Sequence, residues 1–219
     1  MINYLKKYQK FLFRSFLGMV ACFFAVSMAA PARSMSPQID FGAMQLMANK
    51  SDLTNYQQQA KSVLMAELMP EGTLVSQAIN LKSFAAILSG NDIYPSRVST
   101  PAIGTVGAAL EGNRFVVRGS FRDLSSMPRD YAIDPPTPPN PNVTSAVHIH
   151  RGTTVENGLF QYALQVQLDP DGLGGTVKGD YTLTEEQLQA LNSGKLYVDL
   201  HTKGFRGGEL RGVLKGFGA

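Results

Sequence analysis

The 219-residue chain has one cysteine, Cys22, and three histidines, His148, His150 and His201. One cysteine excludes an internal disulfide, so stability has to come from core burial. No Asp or Glu occurs in the first 32 residues, where Lys6, Lys7, Lys10 and Arg14 supply four of the chain's 20 basic side chains. The remaining 187 residues carry 16 basic and 17 acidic side chains, so the overall charge of +3 belongs to the beginning of the chain. A near-neutral domain lacks the basic patch that nucleic-acid binding requires. The longest apolar stretch, residues 16–30, has 15 residues, short of the roughly 20 that cross a bilayer as a helix. With 44% hydrophobic and 17% charged residues, the chain nonetheless has enough apolar surface for one sizeable core.

The charge asymmetry has an explanation in export. A basic segment over 1–14, the apolar run, and then Ala30-Pro31-Ala32 follow the layout of a secretory signal peptide over 1–32. Cleavage there places the protein outside the cell or in the periplasm, with no cysteine and no membrane segment. Two alternatives stay open: an uncleaved anchor, and lipidation at Met19-Val20-Ala21-Cys22, although apolar residues continue past that cysteine.

Residues 33–81 read as a helical extension. Ser51 is placed to cap a helix bearing Leu53, Tyr56, Ala60, Val63 and Leu64 near helical spacing, closed by Pro70 and Gly72. From 82 onward short strands alternate with turns, which predicts an all-β sandwich or barrel. Strands are expected at 84–88, 104–110, 115–121, 145–150, 159–167, 176–182, 196–201 and 209–214. One helix interrupts them, with a capping box at Thr184 and Gln187, a staple of Leu183 and Leu188, and Gly194 at its end. Residues 127–142 contain six of the 12 prolines, so they form a stiff loop rather than an interior strand. Its Pro135/Pro138 and Pro136/Pro139 spacing also fits groove-binding partners.

The chemistry sits on three of the predicted strands. In Val147-His148-Ile149-His150 the side chains alternate, so both histidines share one face when Val147 and Ile149 point into the core. The same alternation puts Tyr197, Asp199 and His201 outward from their strand, and Glu209 and Arg211 outward from theirs. If these strands are neighbours, one polar outer surface collects all seven groups. Three imidazoles from two strands suit a mononuclear copper or zinc site. The competing reading is a hydrogen-bonded network in which Tyr197, Asp199, Glu209 and Arg211 join the histidines and pin the sheet. Asp169-Pro170-Asp171-Gly172 reads as a β-turn, because the later glutamate of a calcium loop is missing. The glycines at 172, 174 and 175 do not join a strand to a helix, which excludes a dinucleotide loop. Asn49-Lys50-Ser51 and Asn142-Val143-Thr144 match the N-glycosylation acceptor.

The motifs His148-Ile149-His150-Arg151-Gly152, Asn157-Gly158, the helix ending at Gly194, Leu196-Tyr197-Val198-Asp199-Leu200-His201-Thr202 and Gly207-Gly208-Glu209-Leu210-Arg211-Gly212 occur in this order. Together with Phe84-Ala85-Ala86-Ile87-Leu88-Ser89-Gly90 they resemble the CHRD (chordin-type) domain over 84–214. Asp199 stands where that pattern usually has asparagine, and the proline-rich loop looks like an insertion. The resemblance implies a Greek-key β-sandwich similar to the copper,zinc superoxide dismutase fold, in exported proteins. It implies architecture rather than activity. Three histidines are too few for a dinuclear dismutase centre. The expected function is a non-enzymatic binding or structural module of the cell envelope or extracellular space, meeting a protein partner through its sheet face or proline-rich loop. The alternative is a mononuclear copper or zinc protein using His148, His150 and His201.

Overall fold

The computed structural model describes residues 41–68 and 80–217. The proposed signal segment, Cys22, Pro70 and Gly72 lie outside them. Helix α1 (Phe41–Leu68) is followed by strands β1 (Lys82–Ser89), β2 (Ile103–Glu111), β3 (Arg114–Arg122), β4 (Val147–Arg151), β5 (Leu159–Ala163), β6 (Gln165–Leu168) and β7 (Gly175–Thr182). Helix α2 (Glu185–Asn192) then leads to β8 (Leu196–Leu200), β9 (Leu210–Val213) and β10 (Lys215–Phe217).

All pairings are antiparallel, in the order β5-β4-β8-β9-β1-β2-β3-β7-β6, with β10 also on β1. The fold is all-β and sandwich-like. β1 meets β9 only at Ser89 and Arg211, where the sheet turns from one layer to the other. At the opposite end β5 and β6 are separated by one residue, Leu164, which is buried and donates its amide to Val147 O. The stretch 159–167, expected as one strand, therefore breaks into two that belong to different layers. Tyr162 stacks on Tyr181 at 4.2 Å across this seam.

The period-2 reading holds in the interior. Val147, Ile149, Leu196, Val198, Leu200 and Leu210 are all 0% exposed and face Val106, Ala108, Phe115 and Val117 of the other layer. Phe84 and Phe115 meet edge to face at 6.4 Å.

Both helices are explained by local chemistry, but one starts elsewhere than its expected cap. In α2, Gln187 N donates to Thr184 Oγ1 and Thr184 N to Gln187 Oε1, and Gly194 takes φ +65° just beyond the end. α1 begins at Phe41, so Ser51 is an interior helical residue and not an N-cap. Its preceding residues, Met44 to Ala48, are good helix formers and carry the helix through that serine. Leu53, Ala60 and Leu64 are buried, the last two with Ala109 and Val116 on the outer side of β2 and β3. The helix backbone rides on Gly107, where any Cβ would collide with Tyr56 and Gln57.

Candidate metal centre

Strand pairing brings the sequence-predicted groups together. β4 pairs with β8 and β8 with β9, giving a cross-strand row His148–Asp199–Arg211 beside a second pair, His150–Tyr197. His201 follows β8 directly and is held in line by donating its amide to Ala146 O. Neighbouring strands, the condition for one shared face, are thus present.

That face is not an open polar surface. His148 is 3% exposed, Asp199 2%, Tyr197 1% and Arg211 2%. A loop and the edge strand β5 cover them, and strand alternation has no means to reveal the loop. The proline-rich segment folds back as a strap: Pro128 bridges to Thr202, Arg129 N donates to His201 O, and Lys203 N donates to Met127 O. Its Tyr131 ring lies 5.4 Å from the His148 ring. Phe160, in β5 opposite His150, stands 5.4 Å from the His148 ring and 6.0 Å from the His150 ring.

The outer edge of each imidazole is fixed by a backbone carbonyl. His148 Nε2 donates to Ser145 O at 2.6 Å, His150 Nδ1 to Gly158 O at 3.0 Å, and His201 Nδ1 to Arg206 O at 2.9 Å. A carbonyl only accepts, so each of these nitrogens carries its hydrogen. In a neutral ring the other nitrogen then turns a lone pair inward. Those inward nitrogens all face one oxygen, Asp199 Oδ1, at 3.8 Å from His148 Nδ1, 3.2 Å from His150 Nε2 and 3.2 Å from His201 Nε2. One donor atom from each of the four residues lies within 4.8 Å of all the others. His150 Nε2 and Asp199 Oδ1 are nevertheless buried with no hydrogen-bond partner.

The electrostatics separate the histidines. Burial pulls His148 down to about 4, with His201 and His150 adding to the shift and Asp199 opposing it. Burial also works against a charged His201, but Asp199 and the Arg206 carbonyl outweigh it and hold its pKa above the ordinary value. For Asp199 burial favours the neutral acid, yet His201 and His150 keep its carboxyl well below the usual range.

The second carboxylate oxygen faces elsewhere. Asp199 Oδ2 lies 3.6 Å from Arg211 Nη2. Arg211 Nη2 donates to Asn157 Oδ1 at 2.8 Å and Nη1 to Glu156 O at 3.2 Å, while the guanidinium sits 4.3 Å over the Tyr197 ring. Tyr197 in turn stacks flat on His150 at 5.3 Å.

Glu209 occupies a different network from the one expected. It is 0% exposed, and its Oε1 accepts from Thr100 Oγ1 at 2.6 Å and Ser125 N at 2.9 Å, while Oε2 accepts from Thr202 Oγ1 at 2.7 Å. Leu200–Leu210 is the last pair of the β8–β9 ladder, so Glu209 lies beyond the paired strand and turns toward the entry of the strap.

Sequence reasoning did not anticipate Arg129, Tyr131, Asp134, Asn157, Phe160 or Arg206. Arg129 Nε and Arg206 Nη2 each donate to Asp134 at 2.7 Å, a latch across the strap. Of these only Phe160 belongs to a predicted strand, and only Asn157 falls in a motif. Asp169-Pro170-Asp171-Gly172 forms the expected turn, with Gly172 N donating to Asp169 O. Among the described residues, the His148, His150, Asp199 and His201 group is the one cluster of its kind, and no helix is long and apolar enough to cross a membrane.

A family model described as CHRD domain matches residues 84–214. No curated protein and no solved structure matches the chain.

Proposed function

This chain belongs to the CHRD family, and we propose that it is an exported, non-enzymatic module whose sandwich holds one divalent transition-metal ion between His148, His150, His201 and Asp199. The observation that carries the reading is the inward-facing set of acceptors. Three neutral imidazoles and a carboxylate oxygen would confront one another without a donor, and buried groups left so are costly. A proton on His201 relieves one of these contacts; a cation at the common focus relieves all of them.

The donor set fits zinc or copper chemistry. Zinc bonds of about 2.0–2.1 Å in a tetrahedron put donors about 3.3–3.4 Å apart, against the 3.2, 3.2 and 3.8 Å from Asp199 Oδ1. The carbonyl behind each ring is the usual outer support of metal-bound histidine. A bound ion would bring positive charge to the point where the lone pairs meet. The chain's own residues orient the rings and shield His148 and His150 with Tyr131 and Phe160, while Asp199 favours a competing proton on His201. Metal uptake therefore releases that proton and weakens as pH falls.

Export rests on the basic, apolar and small-residue order over 1–32. With the sheet face covered, the surface left for an envelope or extracellular protein partner is the outer side of the strap, where Ile133 is 78% exposed.

The test uses protein purified without a histidine tag or chelator. One equivalent of zinc or copper is expected by elemental analysis. Adding zinc at about 100 times its Kd to stripped protein should stabilise it by about 2.7 kcal/mol, or about 5–10 °C in Tm for a domain of this size. His150→Ala should abolish the shift while retaining the β circular dichroism. Absence of bound metal, with no Tm shift for any first-row divalent ion, refutes the reading.

A further inference from the structure

We infer that Arg211 is a positioning residue that confines Asp199 to one donor oxygen, making the centre a closed, four-coordinate site of three nitrogens and one oxygen, of the zinc class. The inference rests on the metal reading above and specifies its coordination.

A carboxylate that grips a metal with both oxygens has to bring them to nearly equal distance from it. In Asp199 the two oxygens have opposite tasks: Oδ1 faces the three imidazoles, and Oδ2 faces Arg211 Nη2 at 3.6 Å. Rotating Oδ2 toward the ion would withdraw the carboxylate that faces a guanidinium 2% exposed, and a buried cation without its counter-charge is strongly disfavoured. Arg211 is itself fixed on three sides, by Asn157 Oδ1, Glu156 O and the Tyr197 ring. Its Nε is buried without a partner, but these three contacts oppose its following a turning carboxylate.

The same residue also bears on His150. Tyr197 lies between them, stacked on the imidazole at 5.3 Å with planes 6° apart and 4.3 Å under the guanidinium. Tyr197 Oη accepts the Gly158 amide at 2.8 Å, and Gly158 O receives the His150 Nδ1 hydrogen. Arg211, Tyr197, Gly158 and His150 thus form one connected chain. Two of the four donors, Asp199 and His150, take their orientation from it. Tyr131 covers the His148 ring and Phe160 the His148 and His150 rings, which narrows the approach for water as a fifth ligand. Four protein donors without an open position are the arrangement of a structural zinc site, not a catalytic one.

The experiment substitutes Co(II) as a spectroscopic probe in metal-stripped full-length protein. Tetrahedral Co(II) absorbs visible light strongly, whereas five- and six-coordinate Co(II) absorbs weakly. Wild-type protein should show the intense spectrum. Arg211→Met should weaken zinc binding by about 10- to 100-fold, the usual range for loss of an outer support, and lose much of the Co(II) intensity as Asp199 turns or water enters. Arg211→Lys should resemble Arg211→Met, since an ammonium lacks the planar fork. If Arg211→Met does not fold, Asn157→Ala decides: it removes the Nη2 partner at an exposed position and should weaken zinc binding by about tenfold, with the same spectral change.

A weak, high-coordinate spectrum in wild-type protein overturns the inference, as do a spectrum and affinity that survive both Arg211→Met and Asn157→Ala. Failure of wild-type protein to bind either Co(II) or zinc overturns the underlying metal reading instead.

Discussion

Replacing Glu209 with glutamine removes one charge and changes one atom from oxygen to nitrogen, and the structure sets the size of the effect. The carboxylate is 0% exposed and accepts three hydrogen bonds, from Thr100 Oγ1, Ser125 N and Thr202 Oγ1, at 2.6–2.9 Å. Glutamine keeps one acceptor oxygen, enough for Thr100 and Ser125. Its amide nitrogen cannot accept from Thr202 and has to donate to that hydroxyl instead, which turns its own hydrogen away while still receiving the Phe205 amide at 3.2 Å. Hydrogen bonds to a charged group contribute about 1.5–3 kcal/mol each and neutral ones about 0.5–1.5. Downgrading all three from charged to neutral bonds, at about 1 kcal/mol each, costs about 3 kcal/mol, or about 6–12 °C in Tm at 2–4 °C per kcal/mol. Thermal and urea unfolding of metal-stripped protein measure this. Because Glu209 holds Ser125 at the entry of the strap, hydrogen exchange should also accelerate at Ser125 and in Arg129, whose amide bonds His201 O. A Glu209→Gln protein within 1 kcal/mol of wild type, with unchanged exchange in the strap, would refute the claim that this carboxylate anchors it.

Other outcomes follow from separate parts of the molecule. Gly107→Ala places a methyl group in the backbone of α1 and should cost about 1–3 kcal/mol, with faster amide exchange over 51–66; an unchanged Tm sinks the close approach. Tyr181 is buried, donates to Ala163 O at 2.8 Å, and has its pKa raised by burial. Its unfolded form ionises first, so the stability it confers is complete below pH 10 and lost as pH rises above it; Tyr181→Phe should flatten that alkaline loss, and a slope equal to wild type counts against it. Asp134→Asn loosens the Arg129 and Arg206 latch. It should hasten removal of bound zinc by a chelator while leaving Tm near wild type, and equal removal rates would dissociate the latch from the site.

Much of the sandwich is legible in the sequence because alternation is a local property. Val147 and Ile149, or Leu196, Val198 and Leu200, declare their inward face without knowledge of their neighbours. The same logic identifies His148, His150, Tyr197, Asp199, His201 and Arg211 as companions on the opposite face. It fails at what covers them. Tyr131 and Arg129 reach the histidines through a proline-rich segment with no period, held by single contacts such as Arg129 N to His201 O. Glu209 obeys the alternation in its own segment, but the ladder ends one residue away, and Thr100, Ser125 and Thr202 come from three different loops. Asp199 was legible as a polar neighbour of the histidines; its place as their common focus depends on distances that only the fold supplies. The break at Leu164 is invisible for a similar reason, since a strand that changes layers has the composition of one that does not.

The strap bears on time as well as shelter. Ser125 is tied to Glu209, Pro128 to Thr202, and Asp134 to both Arg129 and Arg206, with the histidines underneath. An ion held there, as proposed above, would leave only as the strap lifts. Its residence would then depend on an opening rate, and its capture on the interval before residues 127–142 close. The metal retained would be the one present where the chain folds, and later changes in the surrounding ion pool would reach the site only slowly.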